Sequence, residues 1–170
     1  DYARSGRAVA EQIDLALKFM RSQTFIRPDG AVVIGHSAGG WGALALATED
    51  PKRLAAIIAF APGRGGHADD RAEAICAWER LVEAAGAFGK GARVPVTWLV
   101  AANDTYFPPE LSQTLAEAFR AGGGRVAFEV LPAFGSEGHW MVESDGGVRL
   151  AEAAIERALA PKTSAAAGKR

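Results

Sequence analysis

Residues 31–34 read Ala-Val-Val-Ile and run directly into Gly35-His36-Ser37-Ala38-Gly39-Gly40. Four apolar, largely β-branched residues without polar alternation predict a strand buried on both faces. The glycine-rich turn leads into residues 38–48, which are small and helix-favouring and stop short of Pro51. A buried strand feeding a tight turn and then a helix is the unit from which parallel sheets are built. The rest of the chain repeats it.

Upstream, Val9, Ile13, Leu17 and Met20 recur at helical spacing, and Pro28-Asp29-Gly30 is a turn by its own chemistry. Downstream, residues 55–60 and 94–102 predict two more buried strands. Between them lie a glycine-rich loop over 61–70 and a helix over 71–85 that turns Ile75, Trp78 and Val82 to one side. Pro108-Pro109 opens a helix repeating Leu111, Leu115 and Phe119, which Gly122-Gly123-Gly124 ends. Residues 125–131 alternate, which predicts an edge strand, and a last helix over about 147–159 has Val148, Ile155 and Leu159 as its inner face. Strands alternating with helices predict an α/β domain over residues 1–160, with a mostly parallel sheet and helices on both faces. Residues 161–170 lack large apolar side chains and predict a disordered tail.

Composition excludes more than it selects. With 170 residues and a net charge of -1, the chain gives no reason to expect nucleic acid or an anionic membrane as partner. Its longest apolar runs, such as 54–61, are too short to cross a bilayer, and Asp1-Tyr2-Ala3-Arg4 opens an amphipathic stretch rather than a secretion signal. One cysteine, Cys76, excludes an internal disulfide and a cysteine-rich metal site; its place in the 71–85 stretch predicts a buried helix residue.

Gly-x-Ser-x-Gly alone is a weak motif, but its position between a strand and a helix makes it specific. Such a turn forces its central residue into a strained backbone conformation that lifts the side chain above the sheet. Glycines at 35 and 39 leave room for strand and helix, and Gly40 relieves the same crowding. The N–H of Ala38 then points towards charge developing on a substrate carbonyl oxygen. Ser37 is thus a candidate nucleophile; the bland alternative is a helix N-cap in a glycine-rich turn.

A serine hydroxyl needs an adjacent base, and the chain has three histidines. His36, inside the turn, points away from the hydroxyl and is assigned to packing. His67 belongs to the glycine-rich loop, solvated or lining a pocket. His139 follows the last strand and is the candidate base, since the partners of such a serine come from loops at strand ends in the order serine, acid, histidine. Asp104, just beyond the third strand, fits as the acid; Asp69 and Asp70 on the preceding loop are the alternatives. Asp145 follows the histidine, the wrong order, and Asp29 and Asp50 lie at the far end of the sheet. Trp41, Trp78, Trp98, Tyr106 and Trp140 are assigned to the core rather than to a site.

Three stretches together, GHSAGGWGALALA (35–47), VPVTWLVAANDTYFPPEL (94–111) and LPAFGSEGHW (131–140), resemble the dienelactone hydrolase-like, serine-esterase branch of the α/β-hydrolase superfamily. The resemblance covers residues 6–160. It implies hydrolysis of a small carboxylic ester or lactone without metal or organic cofactor, with Ser37 as nucleophile, Asp104 as acid, His139 as base and Ala38 as one oxyanion-hole amide. Dienelactone hydrolases proper carry cysteine where Ser37 stands, so the likeness is to their esterase-like relatives. A prolyl-oligopeptidase-type peptidase shares fold and triad order.

The superfamily also carries several strands before the serine turn, and a loop there supplies the second oxyanion amide. Here one helix precedes the turn, so the expectation is the C-terminal part of a fold. The 31–34 strand would then be an apolar sheet edge available for self-association, and a catalytically silent fragment is the remaining alternative.

Overall fold

The computed structural model describes residues 1–160; the predicted tail at 161–170 lies outside them. Helix α1 (Tyr2–Arg21) is followed by β1 (Ala31–His36), α2 (Ser37–Ala45), β2 (Leu54–Phe60), α3 (Trp78–Gly89), β3 (Val96–Ala101), α4 (Pro109–Ala121), β4 (Val126–Leu131) and α5 (Asp145–Leu159). The four strands form one sheet in the order β1-β2-β3-β4, and every pairing is parallel. All four strands therefore end at the same rim, and the loops that leave them converge there. This is the predicted α/β architecture.

Strand periodicity divides the core in two. Ile57, Ala59, Val96 and Trp98 face the layer containing Trp41, Leu44, Leu81, Leu115 and Phe119, from α2, α3 and α4. Ile58, Phe60, Leu99 and Ala101 face Met141, Ala151 and Ala154 on the other side. Consecutive residues of β2 and β3 alternate between these layers, which is why both strands are apolar but for Thr97 on β3. Helix α1 packs on α2, where a Cβ on Gly42 would lie 2.2 Å from Val9 Cγ1, so the two helices cross in close contact at the glycine.

Three expectations are corrected. β1 is not buried on both faces: it is the sheet edge, Val33 is buried, and Ile34 is 56% exposed. The helix predicted from residue 71 begins at Trp78, because residues 65–76 fold back on themselves instead. Cys76 N–H donates to Gly65 O (2.9 Å), Ala68 N–H to Ala74 O (2.8 Å), and Gly66 bridges Ile75 antiparallel, with Glu73 and Ala77 at positive φ. Cys76 is accordingly exposed, and so is Trp78.

On α5, Val148 and Leu159 are exposed and the buried face is Gly147, Ala151 and Ala154, with Ile155 packed at its margin. Small residues let this helix lie close on the sheet, and Val148, Leu150 and Leu159 are turned outward. β4 pairs only with β3 and is the second edge, as its alternation predicted. Among the described residues, no helix is long and apolar enough to cross a membrane.

Candidate active site

The turn between β1 and α2 has the strain expected of it. His36 is extended (φ -115°, ψ 141°) and Ser37 has φ +52°, in the left-handed region that side chains avoid. Holding it there costs of order 1–3 kcal/mol, which the surrounding packing must supply. A Cβ on Gly35 would lie 2.7 Å from Gly39 O and 2.8 Å from Gly40 Cα; a Cβ on Gly40 would lie 3.0 Å from Gly35 O and from Pro62 Cβ. Gly35 and Gly40 are therefore the pair that allows strand and helix to meet. Gly39, expected to share that role, has nothing within 4 Å of its Cβ position. The capping alternative for Ser37 does not hold, since His36 occupies the N-cap position and the serine hydroxyl bonds elsewhere.

That hydroxyl lies 3.1 Å from His139 Nε2, and His139 Nδ1 lies 3.0 Å from Asp104 Oδ2. His139 and Asp104 are both buried. Asp104 Oδ1 accepts the N–H groups of Tyr106 (2.9 Å) and Phe107 (2.8 Å), fixing the carboxylate in its loop. With the carboxylate as acceptor, Nδ1 carries the imidazole proton, leaving Nε2 to accept the Ser37 O–H. The residues singled out from sequence come together in one line from three strand-end loops. Ala38 lies in the first turn of α2, where N–H groups have no intrahelical acceptor.

The other candidates separate from this line. Asp69 and Asp70 are exposed, and Asp69 pairs with Arg71 (3.3 Å). Asp145 begins α5; Asp29 and Asp50 lie in turns at the opposite rim. His36 does more than pack: its Nε2–H donates to the carbonyl of His139 at 2.8 Å. Burial pushes the His36 imidazole below its ordinary value, and the neighbouring His139 pushes the same way. His67 Nε2 lies 2.7 Å from the Thr105 hydroxyl, and its ring stacks on Tyr106 at 3.6 Å.

Of the aromatic residues assigned to the core, Trp41 and Trp98 are buried there. Tyr106 and Trp140 instead flank the base, with ring centroids 4.4 and 4.9 Å from His139. Their sequence signal was adjacency, since each lies within two residues of Asp104 or His139. Glu137 and Thr105 also bond across the site. Among the described residues, no group of three or more His, Cys, Asp or Glu is arranged to hold a metal ion.

Comparison with known proteins supports the architecture. The model of the prolyl oligopeptidase family matches residues 2–65. Nothing among curated proteins matches. Among solved structures, an acylaminoacyl peptidase from Pyrococcus horikoshii superposes with a TM-score of 0.64 at 12% identity, over 95% of this chain and 30% of its own. A protein assigned as a dienelactone hydrolase from Klebsiella pneumoniae subsp. pneumoniae gives 0.60 at 14% identity, over 88% and 59%. The esterase PE8 gives 0.56 at 22% identity, over 92% and 65%. The chain thus spans less than two thirds of each of these structures. At such identities the likeness is one of fold, and the fold is that of the α/β-hydrolases.

Proposed function

We propose that this chain, built on the α/β-hydrolase fold, is a serine hydrolase that cleaves small carboxylic esters or lactones through an acyl-enzyme on Ser37. The observation that carries the reading is the line Ser37 Oγ–His139 Nε2 (3.1 Å) and His139 Nδ1–Asp104 Oδ2 (3.0 Å), entered by a serine at φ +52°. His139 Nε2 takes the hydroxyl proton as Ser37 Oγ attacks the carbonyl carbon. The C–O bond to the alcohol then breaks, and the alcohol leaves with that proton. Water, deprotonated by the same nitrogen, attacks the acyl carbon; the bond to Ser37 Oγ breaks, the proton returns to Oγ, and the acid leaves. Asp104 holds the imidazole in the tautomer this requires and stabilises its positive form. Ala38 N–H faces the developing oxyanion; one such donor is worth roughly a hundredfold or more in rate. No step calls for a metal or organic cofactor.

A second reading is a peptidase of the prolyl-oligopeptidase type, favoured by the match of that family to residues 2–65. Both readings share the acyl-enzyme step, so one experiment tests it for both. Purified chain is treated with a fluorophosphonate probe, and intact mass and peptide mapping locate the adduct, beside Ser37→Ala. Fluoride leaves as Oγ bonds phosphorus. A single adduct on Ser37, absent from the variant, supports the reading; no adduct on folded chain overturns it for this chain alone. Turnover of p-nitrophenyl acetate against aminoacyl p-nitroanilides then separates esterase from peptidase.

A further inference from the structure

The acid and the base reach Ser37 from separate loops, one after β3 and one after β4, and the two loops hold each other by exchanged side chains. Asn103 reaches outward from the acid loop: its Oδ1 accepts Phe134 N–H (2.9 Å), and its Nδ2 donates to Phe134 O and Gly135 O (3.2 Å each). Glu137 reaches back from the base loop. One of its oxygens, Oε1, accepts both the N–H of His139 (2.9 Å) and the N–H of Thr105 (3.1 Å), the residue after Asp104. The other, Oε2, accepts the hydroxyl of Thr105.

Thr105 is engaged at each polar atom. Its hydroxyl oxygen accepts from His67 Nε2 (2.7 Å), and its carbonyl accepts the N–H of Glu73 (2.8 Å). The refolded 65–76 segment, which displaced the predicted start of α3, therefore ends on the same residue. Burial pushes the Glu137 carboxyl up, but the Thr105 hydroxyl, the two backbone N–H groups and the nearby His139 outweigh it and hold the carboxyl below its ordinary value. It is an anion in a built cradle.

We infer that Glu137 is a positioning residue: it sets the spacing of Asp104 and His139 by binding the backbone of His139 and of the residue beside Asp104 through one carboxylate. Such a bond between backbones fixes the two loops more tightly than side-chain packing does, because a shift of either loop breaks a charge-assisted hydrogen bond. The inference rests on the proposed roles of Asp104 and His139, and a geometric readout separates its failure from theirs. Misplacement of a catalytic group by about 1 Å costs on the order of a hundredfold in rate.

The test compares wild type, Glu137→Ala and Glu137→Gln, with Thr105→Ala and Thr105→Ser as a second pair for the case in which Glu137→Ala fails to fold. The first readout is the rate of fluorophosphonate labelling at Ser37. The second is the downfield proton NMR signal of His139 Nδ1–H, which reports its bond to Asp104 whether or not Ser37 reacts. Expected is a loss of roughly a hundredfold in labelling for Glu137→Ala, with exchange broadening of the His139 signal. Glu137→Gln, which keeps an oxygen for the two N–H groups, and Thr105→Ser should recover both. An unchanged His139 signal in folded Glu137→Ala, or in Thr105→Ala where Glu137→Ala does not fold, overturns the inference. A wild type that fails to label while the His139 signal still depends on Glu137 overturns the hydrolase reading and leaves the positioning role standing.

Discussion

His36 and His139 lie with ring centroids 4.7 Å apart, and His36 Nε2–H donates to the main-chain carbonyl of His139 at 2.8 Å. A histidine in the serine turn thus holds the backbone of the base itself. Burial and the neighbouring His139 favour the neutral imidazole for His36, whose remaining proton sits on Nε2 to make this bond.

From this follows a pH dependence. Burial first, and the positive form of His139 second, lower the His36 pKa in the fold; the bond to His139 O and the charges of Glu143 and Asp104 oppose this without reversing it. The unfolded chain therefore takes up the proton first as pH falls from the ordinary value near 6.5. The stability from neutral His36 is complete above that value and is lost as pH falls towards the lower, folded value. Thermal melts from pH 7.5 to 5 check this. His36→Gln, which keeps a donor for the carbonyl, should lose less Tm over that range than wild type. An NMR titration midpoint for His36 at or above 6.5 would contradict it.

The turn predicts opposite outcomes for two glycines. At Gly35 a methyl group meets backbone atoms of Gly39 and Gly40 that cannot swing aside, so Gly35→Ala should cost about 1–3 kcal/mol or prevent folding. At Gly39 the same methyl meets nothing within 4 Å, and the residue is helical, so Gly39→Ala should be neutral or stabilising by up to about 1 kcal/mol. Urea denaturation midpoints decide between these; equal losses at both positions would contradict the geometry.

Ser112 is buried in α4 and donates its hydroxyl to the carbonyl of Phe107 at 2.9 Å, closing the acid loop from behind. Ser112→Ala leaves that carbonyl without this donor and should lower stability by about 1–3 kcal/mol. Labelling of Ser37 should slow less than in Glu137→Ala, since the bonds across the loops remain. Parallel melts and labelling rates check both parts.

How much of this could be seen in the sequence depends on the range of the force involved. Strand and helix periods are local, so 31–34 followed by a small-residue helix predicted the turn, and chain order together with position just beyond a strand end selected Asp104 and His139. Residues 71–77 carry a helical pattern that lost to hydrogen bonds with Gly65, Gly66 and Thr105, contacts no local pattern announces. On α5 Val148, Leu150 and Leu159 point outward while Ala151 and Ala154 face inward, because closeness to the sheet decides that face. Glu137 had no sequence signal beyond lying two residues before His139; a carboxylate bonded to backbone looks in sequence like any loop charge.

Asp104→Asn probes the proposed chemistry with the least disturbance of the fold. The carboxylate does two jobs with two oxygens: Oδ1 accepts Tyr106 and Phe107 N–H, and Oδ2 accepts His139 Nδ1–H. An asparagine oxygen can keep the first job, so the loop and the melting temperature should change little. Its amide must then donate towards Nδ1, which moves the imidazole proton to Nε2 and leaves no acceptor for the Ser37 hydroxyl. Fluorophosphonate labelling should fall about a thousandfold or more, with part of the loss recovered as pH rises and hydroxide takes over as base. A folded Asp104→Asn chain that labels at the wild-type rate would remove Asp104 from the mechanism, and Asp69 or Asp70 could take its place only by a rearrangement of the 65–76 segment.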